Sequence, residues 1–372
     1  MLIGVPREVK DAERRVGLTP NSARELVAHG HEVIVETGAG AGILKSDDDY
    51  AAAGARVVSV DEVWSDAELV VKVKEPQSPE RERLAPDQAL FAYLHLAPDP
   101  DQTADLMASG ATCIAYETVT DDRGALPLLS PMSQVAGRMA VQAGAHSLEA
   151  VNGGAGLLLG GVPGVRSADV VVIGGGVVGE NAIEMAVGLG ASVSVLDRNV
   201  AVLGRLARRF GAGLETVYST KASLEALVLA ADLVIGAVLV AGSRAPRLVT
   251  AEMVREMRPG SVIVDVAIDQ GGCIETARPT THEDPTYIVD EVVHYCVANM
   301  PRAVPKTSTY ALNNVTLPFV LALADLGIKD ALLADDHLLN GLNVCRGVVT
   351  EAHVAEALDL PYVQPATALE AS

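Results

Sequence analysis

The chain has 372 residues, with 48 acidic and 28 basic side chains and a formal net charge of −20 at pH 7. This length suits two domains, and a composition with 49% hydrophobic and 20% charged residues supplies enough apolar side chains for packed cores, which argues against a disordered protein. The strongly negative charge repels phosphate backbones and leaves no basic stripe, so we expect no nucleic-acid partner.

The N-terminal segment and the cysteines bear on the cellular compartment. The segment MLIGVPREVKDAERR is charged where a secretory signal would be apolar, and no later stretch reaches the roughly 18 apolar residues of a membrane helix. The four cysteines are scattered without a C-x-x-C pair, which predicts neither a zinc site nor a disulfide framework. We therefore expect a cytoplasmic protein with no membrane partner and no metal.

Short β-branched segments alternate with helical segments from the N-terminus onward. LIGVP is followed by NSARELVAHG and HEVIVET, and later by ELVVKVKEP, ALFAYLHLA and TCIAYETV. A second cycle begins near Asp169 with the strand DVVVIGGG, the helix VGENAIEMAVGLG and the strands ASVSVLDR, ADLVIGAVL and SVIVDVAI. This alternation predicts two parallel sheets covered by helices.

The segments that join and follow these cycles are helical. SPMSQVAGRMAVQAGAHSLEA predicts a connecting helix with Ser133 capping its start. After Met300 we expect helices without strands of their own, returning to the first domain. The predicted fold class is therefore α/β, with two doubly wound Rossmann-like domains, in which a cofactor domain (129–300) is inserted into a discontinuous substrate domain (1–128 and 301–372).

A glycine-rich turn follows the first strand of the second cycle. Gly174, Gly176 and Gly179 form G-x-G-x-x-G, which allows a tight turn and lets the helix N-terminus face a pyrophosphate. Asp197 ends the next strand, 18 positions after Gly179, where a carboxylate would bind the adenine ribose. This favours NAD over NADP, although Arg198 works against that inference. The alternative is a turn that only packs a helix on a strand.

Polar residues follow the predicted strands where parallel sheets bind ligands. Arg15 and Lys74 offer a planar fork and a point charge for a small carboxylate, His95 offers a proton carrier near neutral pH, and Asp269 ends SVIVDVAI at the edge where the nicotinamide is expected.

Each of these residues has an alternative interpretation. Arg15 could be a solvated loop charge, and Lys74 could form a surface stripe with Lys72. His95 could be a structural histidine, and Asp269 could cap the turn before Gly271 and Gly272.

Longer stretches carry a resemblance that covers nearly the whole chain. These are RRVGLTP, HEVIVETGAGAG, VVKVKEP, YLHLA, PLLSPMSQVAGRMA, GGVPGV, VDVAIDQGGC, RPTTH and YCVANMPRAVPKTSTYAL. Together they resemble the bacterial alanine dehydrogenases, which are akin to domain I of proton-pumping nicotinamide nucleotide transhydrogenase.

The resemblance implies NAD-dependent, reversible oxidative deamination of L-alanine to pyruvate and ammonia by a homohexamer. It implies that Arg15 and Lys74 bind the substrate carboxylate, that His95 is the acid–base residue and that Asp269 is a second catalytic group. The implied cofactor contacts, together with the glycine motif, are Ser133, Val177, Val178, Asp197, Ser219, Val238, Leu239, Val266, Ala267, Ile268, Asp269, Arg278, Val297, Ala298, Asn299 and Met300. A family lysine is Val202 here, so one contact to the cofactor is expected to be lost.

Three other functions stay open at this point. Transhydrogenase domain I passes hydride to a second nucleotide and needs neither His95 nor the paired lysines. Saccharopine dehydrogenase needs more polar contacts for a bulkier substrate. A catalytically silent NAD sensor would not need polar residues at the ends of three strands of the first domain.

Overall fold

A computed structural model of the protein describes residues 1–238 and 245–370. The chain separates into two compact units, a first unit of Met1–Met132 with Val304–Ser372 and a second unit of Ser133–Ala303. Among the described helices, none is long and apolar enough to cross a membrane. The assignment of substrate to the first unit and cofactor to the second remains a prediction.

The N-terminal part of the first unit alternates strands and helices. Its elements are β1 (Leu2–Val5), α1 (Pro20–Ala28), β2 (Glu32–Glu36), α2 (Asp47–Ala52), β3 (Arg56–Val58), α3 (Val60–Asp66), β4 (Leu69–Val71), α4 (Ser78–Arg81), β5 (Ala89–Ala92), α5 (Pro100–Ser109) and β6 (Thr112–Ala115). The helices begin where the sequence supplies caps: Ser46 and Ser59 each form a capping box with an acidic residue three positions later.

The second unit repeats this alternation. A long helix, α6 (Ser130–Ser147), leads into β7 (Asp169–Ile173), α7 (Val177–Gly188), β8 (Ser192–Asp197), α8 (Val200–Phe210), β9 (Glu215–Tyr218), α9 (Lys221–Ala230), β10 (Leu233–Gly236), α10 (Ala251–Glu256), β11 (Val262–Asp265), β12 (Thr286–Val289) and β13 (Val292–Tyr295). Two short 3-10 helices, Val266–Gln270 and Met300–Ala303, follow β11 and β13.

The C-terminal part returns to the first unit. It contains α11 (Pro305–Leu326), α12 (Ile328–Ala334), α13 (Asp336–Leu339), β14 (Leu342–Cys345), β15 (Val348–Val349), α14 (Ala352–Leu358) and α15 (Pro365–Glu370).

Both sheets have the strand order of a doubly wound fold. The first sheet runs β3-β2-β1-β4-β5-β6 and continues with the antiparallel β14 and β15; the second runs β9-β8-β7-β10-β11-β13 and ends on the antiparallel β12. Apolar side chains are buried on both faces of each sheet. The predicted fold class is confirmed, since this is the 3-2-1-4-5-6 order of dinucleotide-binding folds.

Three expectations about element bounds were wrong. The tail after Met300 has strands of its own, β14 and β15, which are too short for a clear alternating pattern and pair with the edge of the first sheet. Ser133 does not cap α6, because that helix begins at Ser130 and takes Pro131 into its first turn. The strand in SVIVDVAI ends at Asp265, so Asp269 lies in the following 3-10 helix.

Candidate active site

The first unit places its predicted site residues at one edge of the sheet. The strand order reverses at β1, which pairs with β2 on one side and β4 on the other. Arg15 lies in the segment after β1, Lys74 follows β4 and His95 follows β5. In doubly wound folds, ligands bind outside the carboxyl ends of the strands at this reversal. The topology therefore directs all three side chains to a ligand-binding edge.

Arg15 is held by a carboxylate beside it in the sequence. Its guanidinium is buried and donates to both oxygens of Glu13, from Nε at 2.7 Å and from Nη2 at 2.6 Å. Nη1 lies 3.1 Å from the sulfur of Met132. Arg15 is therefore not the solvated loop charge that was one interpretation. In this bidentate pair with Glu13, Nη1 is the guanidinium nitrogen that does not donate to a carboxylate.

A cavity of about 430 Å³ lies beside Arg15. Its walls come from the segments after β1 and β2 and include Glu13, Arg14 and Gly42. A Cβ atom at Gly42 would lie 2.1 Å from the carbonyl oxygen of Arg14, so glycine is required for the two segments to approach. The space suits a small polar ligand.

The two lysines after β4 have different environments. Lys72 is fully buried and its ammonium lies 2.7 Å from Glu80 and 3.3 Å from Glu8, so the two lysines do not form a surface stripe. Lys74 is half-buried and makes no ion pair with any described residue. Burial lowers its pKa, and repulsion from Arg15 contributes to the same shift. The protein therefore places an ammonium that forms no ion pair with the described residues near a guanidinium, and the carboxylates of Glu75 and Glu13 oppose the lowering of its pKa.

His95 has an accessible side chain and a strained backbone. Its imidazole is 45% exposed, lies parallel to the Tyr93 ring at 5.8 Å, and has Nδ1 3.6 Å from Glu117. Its φ is +51°, and the Glu117 carboxylate accepts hydrogen bonds from the backbone N–H groups of Leu94 and His95. These features do not describe a buried structural histidine.

The glycine turn in the second unit has the shape that a pyrophosphate requires. Gly174 has φ +101°, and a Cβ at Gly179 would lie 1.8 Å from the carbonyl oxygen of Gly174. A Cβ at Gly176, which caps α7, would meet nothing within 4 Å. Open space therefore lies beside a helix N-terminus, and these residues fit a dinucleotide.

Asp197 is fixed against this turn. Its Oδ2 accepts from the backbone N–H of Gly175 at 2.7 Å and its Oδ1 from that of Asn199 at 2.7 Å. Ser219, a predicted cofactor contact, donates its backbone N–H to the carbonyl oxygen of Asp197. The first turn of α7 contains Val177 and Val178. The backbone carbonyl of Val178 lies close to α6 at Gly137, where a Cβ atom would lie 2.1 Å from it.

Two further predicted segments meet after β11 and β13. The segment Val266 to Asp269 lies in the 3-10 helix after β11, and the carboxylate of Asp269 accepts from the backbone N–H of Asn299 at 3.2 and 3.1 Å. Val238 follows β10, whereas Leu239 lies outside the described residues. The guanidinium of Arg278 lies 4.0 Å from the centre of the Tyr287 ring.

Sequence analysis missed three carboxylates that hold site residues. Glu13 binds Arg15, Glu117 binds the backbone at His95, and Asp265 is buried at the end of β11. Asp265, not Asp269, accepts the backbone N–H groups after the Gly271–Gly272 turn. An aspartate inside the apolar run SVIVDVAI is the one signal that could have indicated this role.

Comparisons with known proteins show the family of the chain. The model of the family "Alanine dehydrogenase/PNT, N-terminal domain" matches residues 4–136, and that of "Alanine dehydrogenase/PNT, C-terminal domain" matches residues 140–352. An alanine dehydrogenase of Halomonas elongata is 61% identical over 99% of both chains, and one of Mycolicibacterium smegmatis is 54% identical over 98% of this chain and 99% of its own.

Among solved structures, an alanine dehydrogenase is more similar to this chain than a transhydrogenase is. A structure titled L-alanine dehydrogenase has a TM-score of 0.94 and 55% identity, covering 96% of this chain and 99% of its own. A transhydrogenase from Sinorhizobium meliloti has a TM-score of 0.81 but only 26% identity, covering 95% of this chain and 99% of its own. The chain belongs to the alanine dehydrogenase/PNT family.

Proposed function

We propose that this protein is an L-alanine dehydrogenase, which oxidises L-alanine to pyruvate and ammonia with NAD and catalyses the reverse reaction. The observation that carries the proposal is the cationic pair at the edge of the first sheet: the Nη1 of Arg15 faces no carboxylate, and Lys74 forms no ion pair with the described residues. Such a pair matches a small carboxylate. The reaction class is oxidation at a CH–NH2 carbon.

The cofactor is a nicotinamide nucleotide, and we propose NAD. Gly174, Gly176 and Gly179 would hold its pyrophosphate, and Asp197 would hold the ribose hydroxyls. A 2′-phosphate at that position would be repelled by the fixed carboxylate of Asp197. When bound, the nicotinamide ring accepts a hydride from the substrate Cα.

The side chains of the first unit would orient the substrate and move protons. Arg15 and Lys74 would hold the carboxylate, which fixes the position of Cα. His95 would take a proton from the amine and later from the attacking water, since an exposed imidazole can exchange protons with solvent. Asp269 would act as a second catalytic group at the edge of the second sheet.

NADH formation with L-alanine tests the proposal directly. Purified protein with L-alanine and NAD should produce NADH and pyruvate in equal amounts, and NADP should replace NAD poorly. Saccharopine in place of L-alanine should give no NADH. Hydride transfer from NADH to a second nicotinamide nucleotide without an amino acid would support transhydrogenase chemistry instead. Binding of NADH without turnover on any of these substrates would support a sensor.

We further propose a cytoplasmic homohexamer. The family resemblance motivates the oligomer, and the four cysteines, all buried and free, suit a reducing compartment. Light scattering after size-exclusion chromatography should give the mass of six chains. The mass of a monomer or dimer would contradict this.

A further inference from the structure

A buried carboxylate ends β11 and contacts the backbone on both sides of the next loop. Asp265 is 1% exposed. Its Oδ1 accepts from the backbone N–H of Ala267 at 3.1 Å, and its Oδ2 accepts from those of Cys273 at 3.0 Å and Ile274 at 3.3 Å. One side chain therefore joins the beginning and the end of the loop 266–274.

The surroundings of Asp265 leave its carboxylate little freedom. A Cβ at Gly236 would lie 3.0 Å from Oδ1, and a Cβ at Gly272, which has φ +76°, would lie 2.7 Å from Oδ2. Two glycines thus let the backbone approach the carboxylate closely. Burial of a carboxylate is costly unless hydrogen bonds compensate, and here both oxygens accept them.

The loop that Asp265 holds contains Asp269 and the predicted cofactor contacts from Val266 onward. We propose that Asp265 is a positioning residue for the nicotinamide subsite, which acts by fixing the backbone that presents Asp269. This rests on the proposed function, since Asp269 matters only where a nicotinamide cofactor binds. No contact between Asp265 and the cofactor is required.

An amide cannot replace this carboxylate. Both oxygens of Asp265 accept N–H groups, so in Asp265→Asn the amide NH2 must face an N–H donor in either orientation. The loop should then lose one anchor. Asp232 provides a matched control, because its carboxylate also accepts a backbone N–H, that of Asp169 at 2.8 Å. It precedes β10 and therefore lies at the amino ends of the strands of the same sheet, away from the loop that Asp265 holds.

The experiment compares Asp265→Asn and Asp232→Asn with the unmodified protein, by NADH fluorescence titration, steady-state kinetics and thermal unfolding. For Asp265→Asn we expect the Kd for NADH to rise at least about tenfold and kcat to fall, with the KM for L-alanine changed less than about twofold. Asp232→Asn should lower Tm but leave the Kd for NADH unchanged. A lower Tm with an unchanged Kd and kcat in Asp265→Asn would overturn the proposal.

The pH dependence of NADH binding provides a second test. Burial raises the pKa of Asp265 to about 6. The ionisable groups that face it are the thiols of Cys273 and Cys296, whose pKa values burial also raises, so neither changes charge in this range.

Below pH 6 the protonated carboxyl oxygen of Asp265 would point its hydrogen at a backbone N–H donor. The Kd for NADH should therefore rise as the pH falls through about 6, and this dependence should be absent in Asp265→Asn. A Kd for NADH that stays constant from about one pH unit below that pKa to about one unit above it would overturn the proposal. Absence of NADH formation from L-alanine in a protein that binds NADH would instead contradict the proposed function.

Discussion

Arg15 and Lys74 are both cations, but the protein holds them in different ways. Glu13 fixes the Arg15 guanidinium through two hydrogen bonds, while Lys74 has no ion pair among the described residues. Arg15 keeps its direction when substrate leaves because Glu13 holds it, whereas Lys74 supplies a charge that is not bound in an ion pair. We therefore expect Arg15 to set the orientation of a bound carboxylate and Lys74 to supply most of its attraction.

Removing either cation should weaken catalysis with L-alanine. Arg15→Ala or Lys74→Ala removes a charge-assisted contact worth roughly 1.5–3 kcal/mol, so kcat/KM for L-alanine should fall at least about tenfold. The Kd for NADH, measured by fluorescence, should stay the same. Arg56→Ala, at the amino end of β3, is the control and should leave both constants unchanged. A parallel loss of NADH affinity would mean that these residues bind the cofactor.

The charge of Lys74 should also limit pyruvate binding at alkaline pH. Burial and the neighbouring Arg15 lower the pKa of Lys74, so its ammonium loses a proton at a lower pH than an exposed lysine does. Because only the protonated form attracts a carboxylate, pyruvate binding to the enzyme–NADH complex should weaken as the pH rises through that pKa. Lys74→Arg keeps its charge at high pH, so pyruvate binding to this variant should not weaken as the pH rises. An identical pH profile for the two proteins would contradict the assignment.

His95 should be required for turnover but not for cofactor binding. His95→Asn keeps a similar shape yet cannot carry a proton, so kcat should fall by at least about 100-fold at every pH. NADH affinity should be preserved. The matched control is His146→Asn, which changes an exposed histidine at the end of α6. Near-normal activity with the same pH profile in His95→Asn would make His95 structural and Asp269 the leading candidate for the base.

The elements differ in how far their sequence predicts them. The glycine turn after β7 could be predicted because its requirements are local: a strand, three glycines and a helix within one short segment. Glu117 could not, because it reaches His95 from 22 residues away, through the packing of β5 beside β6. Asp269 was placed on a strand because the apolar pattern continues past Asp265, where the backbone turns into a 3-10 helix.

Three glycines of the same turn and helix should respond differently to alanine. Gly179→Ala places a Cβ 1.8 Å from a carbonyl oxygen and should cost roughly 1–3 kcal/mol of unfolding free energy. Gly176→Ala meets no protein atom within 4 Å, so Tm should hold while the Kd for NADH rises. Gly188→Ala, at the end of α7, also meets nothing and should bind NADH normally. Thermal unfolding and NADH titration measure both effects. Normal NADH binding by Gly176→Ala would mean that the pyrophosphate lies elsewhere.

At the scale of the whole molecule, the chain uses one strand order twice. Each sheet reverses its order at its first strand. Arg15 and Lys74 in the first unit, and the glycine turn and Asp197 in the second, lie at the ends of strands beside that reversal. The C-terminal part completes only the first sheet, through β14 and β15. Sequence analysis assigned this part to the first domain because it has no strand pattern long enough to extend the second sheet, but a four-residue and a two-residue strand carry too little pattern to be predicted.

The second unit should therefore bind the cofactor by itself. It is continuous in sequence, and its two core clusters lie on both faces of its own sheet, so a fragment of residues 130–303, which keeps α6 whole, should fold. Circular dichroism should report a folded α/β fragment, and NADH titration should give a Kd within about tenfold of the full chain, because the glycine turn, Asp197 and Asp269 are all present. L-alanine oxidation should be absent, since Arg15, Lys74 and His95 are missing. The same fragment with Gly176→Ala is the control and should fold without binding NADH. A folded fragment that does not bind NADH would show that the first unit supplies essential cofactor contacts, and the division of roles between the units would then be wrong.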